Sequence, residues 1–151
     1  MNAFTHGEAV FLACEMEKQA IRLYERALIL FQDTPTFQAV QQILAEERSH
    51  LAQFEQLGKE ACSFEQAQLL SAQAAKTLYN GGLMAAQRKG AFESPSALFA
   101  YAAAEEKNAI ETYTAFAEKM EGEAALAFCT IADEERRHLE EFQGFLQALT
   151  K

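Results

Sequence analysis

Residues 43–54 read ILAEERSHLAQF. On a helix, Glu47 and His50 stand three residues apart and share a face. Leu44, Leu51 and Phe54 fall on that face too, so it is expected to point inward. A lone buried charge is costly and either neutralises or finds a partner. One Glu-x-x-His decides nothing, because a surface pair beside apolar neighbours reads the same way. The stretch returns, however. Residues 131–142 read IADEERRHLEEF, with Glu135 and His138 at the same spacing. Upstream, EKQAIRLY at 17–24 returns as EKNAIETY at 106–113, each with a Glu seven residues before a Tyr. The chain therefore reads as two similar helical hairpins.

Local signals delimit those hairpins. Thr5 and Glu8 form a capping box. Thr34-Pro35 and Ser94-Pro95 each put a hydroxyl before a proline at a first helical position. Gly58 closes the second helix, and Gly122 separates the last two. With apolar residues at three-four spacing, helices are predicted over 6–31, 35–57, 95–120 and 123–149. Residues 58–94 read as a connector, with a shorter helix over 65–79 and a turn at Asn80-Gly81-Gly82.

Helix rise then sets the heights. At ~1.5 Å per residue, Glu17 lies ~21 Å before the end of the first helix. Glu47 and His50 lie ~18 and ~22 Å along the returning second helix. The three meet at mid-height, and the same sum brings Glu106, Glu135 and His138 together. Face to face, the hairpins converge four carboxylates and two imidazoles. Metal-free, four like charges in a core are strongly unfavourable, and two divalent cations cancel them. Hard carboxylates with one imidazole per ion suit iron or manganese, with zinc a possible occupant. One Glu from each of two helices, plus Glu-x-x-His from the other two, is the carboxylate-bridged dimetal plan.

Composition narrows the classes. The 151 residues fit one domain, and half of them are hydrophobic. A net charge of −9 makes nucleic acid and anionic membrane poor partners, and neither is expected. MNAFTHGEAVFLACEMEK has an acid before its short apolar run and no basic start, unlike a signal peptide. No run approaches the ~18 apolar residues of a membrane span. Cys14, Cys62 and Cys129 lack CxxC spacing, which points to reduced, mostly buried thiols and a cytoplasmic protein.

Over 6–57 and 95–149, the paired motifs resemble the rubrerythrin and bacterioferritin branch of the ferritin-like superfamily. The resemblance implies an all-α, left-handed four-helix bundle with a long crossover, its second and third helices parallel. It implies that Glu17 and His50 ligate one metal, that Glu106 and His138 ligate the other, and that Glu47 and Glu135 bridge both. Tyr24 and Tyr113 would hydrogen-bond site carboxylates. Glu15, Glu46, Glu105 and Glu134 are competing acids, expected to face solvent or adjoining helices. Arg48 and Arg136 are expected in surface salt bridges, and Met16, Phe54, Phe128 and Phe142 in the core.

The implied function is that of a non-haem di-iron oxidoreductase, oxidising Fe(II) or reducing O2 or hydrogen peroxide. The chain departs from the family in several places. It has no two CxxC pairs for a rubredoxin-like iron, so reducing electrons would come from a separate donor. Ala109 stands where rubrerythrins carry an extra carboxylate. Arg48 stands where bacterioferritins have a haem-ligating Met, so no haem is expected. No fifth helix of the cage-ferritin kind is expected after the fourth, and a homodimer is expected, with a swapped form allowed by the connector. The rival readings are iron storage with ferroxidation and a metal-free interaction bundle.

Overall fold

The computed structural model describes residues 6–58 and 82–149, all of them in helices and the turns between them. Four long helices are α1 (His6–Leu30), α2 (Phe37–Gly58), α4 (Pro95–Lys119) and α5 (Gly122–Leu149). A short helix, α3 (Gly82–Arg88), precedes α4. Among the described residues, no helix is long and apolar enough to cross a membrane. Thr5, the helix predicted over 65–79 and Cys62 lie outside the described residues.

The helix starts test the predicted caps. Ser94 caps α4, its side chain accepting from the Ala97 amide at 3.0 Å, with Pro95 as the first helical residue. Its extended φ and fixed proline suit that role. Thr34-Pro35 behaves differently. The Thr34 hydroxyl donates to the Phe31 carbonyl at 2.8 Å, closing the end of α1. It is thereby committed to the outgoing helix, and α2 starts only at Phe37. Gly122, with φ +69°, takes a backbone conformation that favours glycine and turns α4 into α5.

Pairing between helices sets their directions. Tyr113 of α4 reaches Glu17 of α1, and Tyr24 of α1 reaches Glu106 of α4, so these helices run antiparallel. His50 with Glu134 and His138 with Glu46 show the same for α2 and α5. The loops after α1 and α4 are short, so each hairpin is antiparallel too. It follows that α2 and α4 run parallel.

The core has two apolar clusters. One holds Leu12, Met16, Phe54, Phe116, Phe128 and Ile131. The other holds Leu23, Ile43, Leu98, Phe99, Phe142 and the α3 residue Ala86. In each of the four long helices, buried acids or histidines stand between the residues given to one cluster and those given to the other. Phe54 packs on Phe128 at 5.0 Å between ring centroids, and Phe99 on Phe142 at 5.9 Å. Truncating such a ring to alanine costs about 3–5 kcal/mol. Two apolar layers thus hold a polar layer that the bundle would not otherwise bury.

The end of α3 is pinned by its own turn. Gly90 has φ +78°, its amide bonds to the Gln87 carbonyl at 3.0 Å, and the Ala91 amide bonds to the Ala86 carbonyl at 2.9 Å. That pair of bonds is a Schellman closure around a left-handed residue.

Candidate metal centre

The polar layer consists of Glu17, Glu47, His50, Glu106, Glu135 and His138, none more than 2% exposed. All six residues singled out in the sequence are therefore buried, and they are buried together. Glu17 comes from α1 and Glu106 from α4; α2 and α5 each supply an acid and a histidine one turn apart.

Their ligand atoms fall into two groups. Glu17, Glu47, His50 and Glu135 form one, and Glu47, Glu106, Glu135 and His138 form the other. Within each group, one ligand atom per residue lies within 4.8 Å of all the others. Glu47 and Glu135 belong to both groups, and each group could hold a metal ion. His50 Nδ1 lies 3.0 Å from Glu135 Oε1, 3.5 Å from Glu47 Oε1 and 3.7 Å from Glu17 Oε1. His138 Nδ1 repeats the pattern, at 3.0 Å from Glu47, 3.4 Å from Glu135 and 3.7 Å from Glu106. The sequence repeat is thus also a geometric one.

The donor set fits metal on a direct test. Buried polar atoms are almost always hydrogen-bonded. Among the described residues, the buried side-chain atoms without a hydrogen bond are Glu17 Oε2, both Glu47 oxygens, His50 Nδ1, Glu106 Oε2, Glu135 Oε1 and His138 Nδ1. Every one belongs to the six-residue cluster. Each would be satisfied by coordination.

Protonation shows the strain of the metal-free cluster. Burial and the Glu47 charge push Glu17 well above the ordinary carboxyl range. Burial, Glu106 and Glu47 do the same to Glu135. Glu47 goes the other way: burial opposes its ionisation, but His138 and His50 overcome that and hold it well below the ordinary range. Burial likewise disfavours imidazolium, yet Glu135, Glu17 and Glu47 hold His50 far above its ordinary value. Glu106, Glu135 and Glu47 do this for His138. Protons bind where cations would.

A second tier of contacts orients the first. Tyr24 donates to Glu106 Oε1 at 2.5 Å, and Tyr113 donates to Glu17 Oε1 at 3.0 Å, so each hairpin's tyrosine steadies the other hairpin's acid. On the opposite side, His50 Nε2 pairs with Glu134, and His138 Nε2 pairs with Glu46 at 2.5 Å. With Nε2–H donating outward, a neutral ring presents its Nδ1 lone pair to the cluster.

Glu46 and Glu134, competitors that the sequence expects to face solvent or adjoining helices, do reach an adjoining helix, and the structure adds a role for them: they pair with His138 and His50 across the α2–α5 seam. A signal for this existed, since each copy of the motif doubles its acid at 46–47 and 134–135. Of the other competitors, Glu15 pairs with Lys18 at 3.3 Å, and Glu105 lines a cavity beside the cluster. Arg48 forms an exposed salt bridge to Glu25 at 2.9 Å, and Arg136 pairs with Asp133, as expected. Cys14 is free and buried, its thiol pushed up to about 12 by burial and Glu55; Cys129 is free but exposed.

Compared with known proteins, the chain matches no family model, no curated protein and no solved structure.

Proposed function

We propose that this protein is a non-haem di-iron oxidoreductase of ferritin-like, rubrerythrin-type architecture. The observation that carries the reading is that two four-residue groups share Glu47 and Glu135, while every buried orphan polar atom among the described residues belongs to them. Glu17 and His50 would hold one ion, Glu106 and His138 the other, and Glu47 and Glu135 both. Bound as a ferrous pair, the metals would supply two electrons, enough with two protons to take one hydrogen peroxide to two waters. Carboxylate ligands with one imidazole per ion favour iron or manganese.

The protein's own groups do the rest. Glu46 and Glu134 fix the imidazole rings, and Tyr24 and Tyr113 hold Glu106 and Glu17. The two apolar layers limit water at the cluster, which strengthens every charge interaction there. A separate donor would return the electrons, and the working unit would be a small oligomer such as a homodimer.

The test begins with elemental analysis after anaerobic Fe(II) loading, where two irons per chain are expected. Addition of peroxide or O2 should then oxidise both. Failure to bind metal ends the reading and leaves an interaction bundle. A shell-sized particle in light scattering, with iron accumulating far beyond two per chain, would replace it by storage.

A further inference from the structure

The repeat makes the two halves of the cluster alike, and one departure from it stands at the cluster's edge. An open cavity between α1 and α4 reaches the acids, where Tyr24 and Tyr113 line it. Ala20 and Ala109, which are repeat partners, line it as well. The residues just before Glu17 and Glu106 are also repeat partners on the cavity wall, but one is Met16 and the other Glu105. A thioether thus stands on the α1 side where a carboxylate stands on the α4 side. Met16 is 8% exposed and packs in the apolar cluster of Leu12, Phe54 and Phe128. The other methionines among the described residues do not line the cavity. Met84 is 70% exposed on α3, and Met120 lies partly buried just after α4.

A thioether can give up two electrons without any metal. Its sulfur lone pair attacks one oxygen of hydrogen peroxide and the O–O bond breaks. Sulfur keeps that oxygen as a sulfoxide, and the other oxygen leaves as water with both protons. Sulfur is oxidised by two electrons and the peroxide is reduced. By exposure alone, Met84 would react first. Bound in the cluster, ferric ions supply Lewis acidity, which makes a neighbouring peroxide a better oxygen donor. Resting on the di-iron reading above, we propose that Met16 is a modification site: when the metals are ferric and no donor has re-reduced them, hydrogen peroxide converts Met16 to its sulfoxide ahead of the exposed Met84. The change is a switch. It sets a polar oxygen against Leu12 and Phe54, where no hydrogen-bond donor is offered by those side chains, and such burial is costly. The residue next along the chain is Glu17, so a loosened α1 wall weakens the hold on one ion. Methionine sulfoxide reductase chemistry restores the thioether.

The test is peptide mass mapping. Iron-loaded protein is oxidised fully, kept free of any electron donor, and given one equivalent of hydrogen peroxide. The Met16 peptide should gain one oxygen while the Met84 peptide stays unmodified. Metal-free protein treated alike should show the reverse order, with Met84 first. Met84 leading in the loaded protein overturns the inference, and so does Met16 oxidation that is the same with and without metal. The switch is read separately, by denaturant midpoint and iron content before and after peroxide. Both should fall in the starting protein and recover after treatment with methionine sulfoxide reductases. Met16→Leu keeps the apolar bulk and removes the sulfur, so it should hold its iron and show neither fall. A fall of equal size in Met16→Leu would overturn the switch. Iron content measured before the peroxide step keeps the two readings apart: if no iron binds, the di-iron reading fails and this inference falls with it, whereas bound iron with Met16 untouched defeats this inference alone.

Discussion

The cluster has two unlike faces. Toward α2 and α5, each imidazole is backed by a carboxylate of the opposite helix, and Glu46 and Glu134 form the outer surface, their side chains 29% and 31% exposed. Toward α1 and α4, the backing groups are tyrosines, buried at about 1% exposure, and beside them a cavity reaches the acids. The two faces are built from the same repeat, so sequence duplication does not explain their difference. Chemistry of position does. A histidine uses one ring nitrogen inward and one outward, which fills its face with a rigid donor–acceptor pair. Glu17 and Glu106 each take a single tyrosine, leaving the small side chains of Ala20 and Ala109 to make room. One face is closed by histidine–carboxylate pairs, and the other borders a cavity.

The contrast is broken most severely at its centre. Glu47 and Glu135 serve both groups, so Glu47→Ala or Glu135→Ala should cost both metals. Glu17→Ala or Glu106→Ala should cost chiefly one. Elemental analysis after identical loading separates these outcomes, and loss of only one ion from Glu47→Ala would refute the shared assignment.

Next in size is the pH response. Glu17 and Glu135 are raised from an ordinary 4.5, and His50 and His138 from 6.5. A raised folded value gives stability that is complete below the ordinary value and lost as pH climbs toward the folded one. Glu46 and Glu47 are lowered, so their contribution is present above 4.5 and lost as pH falls below it. Metal-free protein should therefore be most stable in mild acid and weaken toward neutrality. Each raised group can remove up to about 1.4 kcal/mol per pH unit. Loaded protein should show the opposite slope, because metal keeps the acids ionised and protons compete with it. Denaturant melts of both forms from mild acid to neutral pH measure this, with Glu47→Gln/Glu135→Gln as the control for overall charge. Parallel slopes would mean that these acids do not form a metal site.

The histidine face is probed by Glu46→Gln and Glu134→Gln. Each keeps the side chain's size but weakens its hold on an imidazole, and should lower metal affinity about 10–100-fold. Competition against a chelator reads this directly, and unchanged affinity would reduce both acids to surface groups.

The smallest effects belong to the tyrosine face. Tyr24→Phe and Tyr113→Phe each remove one bond to a carboxylate, worth about 1.5–3 kcal/mol when the partner is charged. Denaturant melts of the metal-free variants read this loss, and an unchanged midpoint for either one would mean that its hydroxyl contributes nothing to the fold.

How much was legible depends on range. Caps, periodicity and rise placed four helices within two residues of their observed bounds and brought six named residues to one height. Those signals are local or follow from helix geometry. Thr34 shows where local reasoning stops, since its hydroxyl had two carbonyl-rich or amide-rich helix ends to serve and took the earlier one. The α3 turn falls in the stretch that the sequence marks only as connector, because a seven-residue helix carries too little periodicity to stand out.

By itself, the sequence determined that Glu17, Glu47 and His50 share one height in the first hairpin, and Glu106, Glu135 and His138 in the second, because rise per residue is fixed and the spacing is duplicated; the packing of one hairpin on the other brings the six into one layer. Tertiary structure alone decided what surrounds that layer. Glu46 meets His138 ninety-two residues away, and Tyr24 meets Glu106 eighty-two residues away. Such pairings depend on how helices are rotated against one another, and no spacing within a single helix encodes that rotation. The cavity is of the same kind: it is the space left when α1, α4 and α3 pack with alanines between them, a property of the assembled bundle and of no stretch of chain.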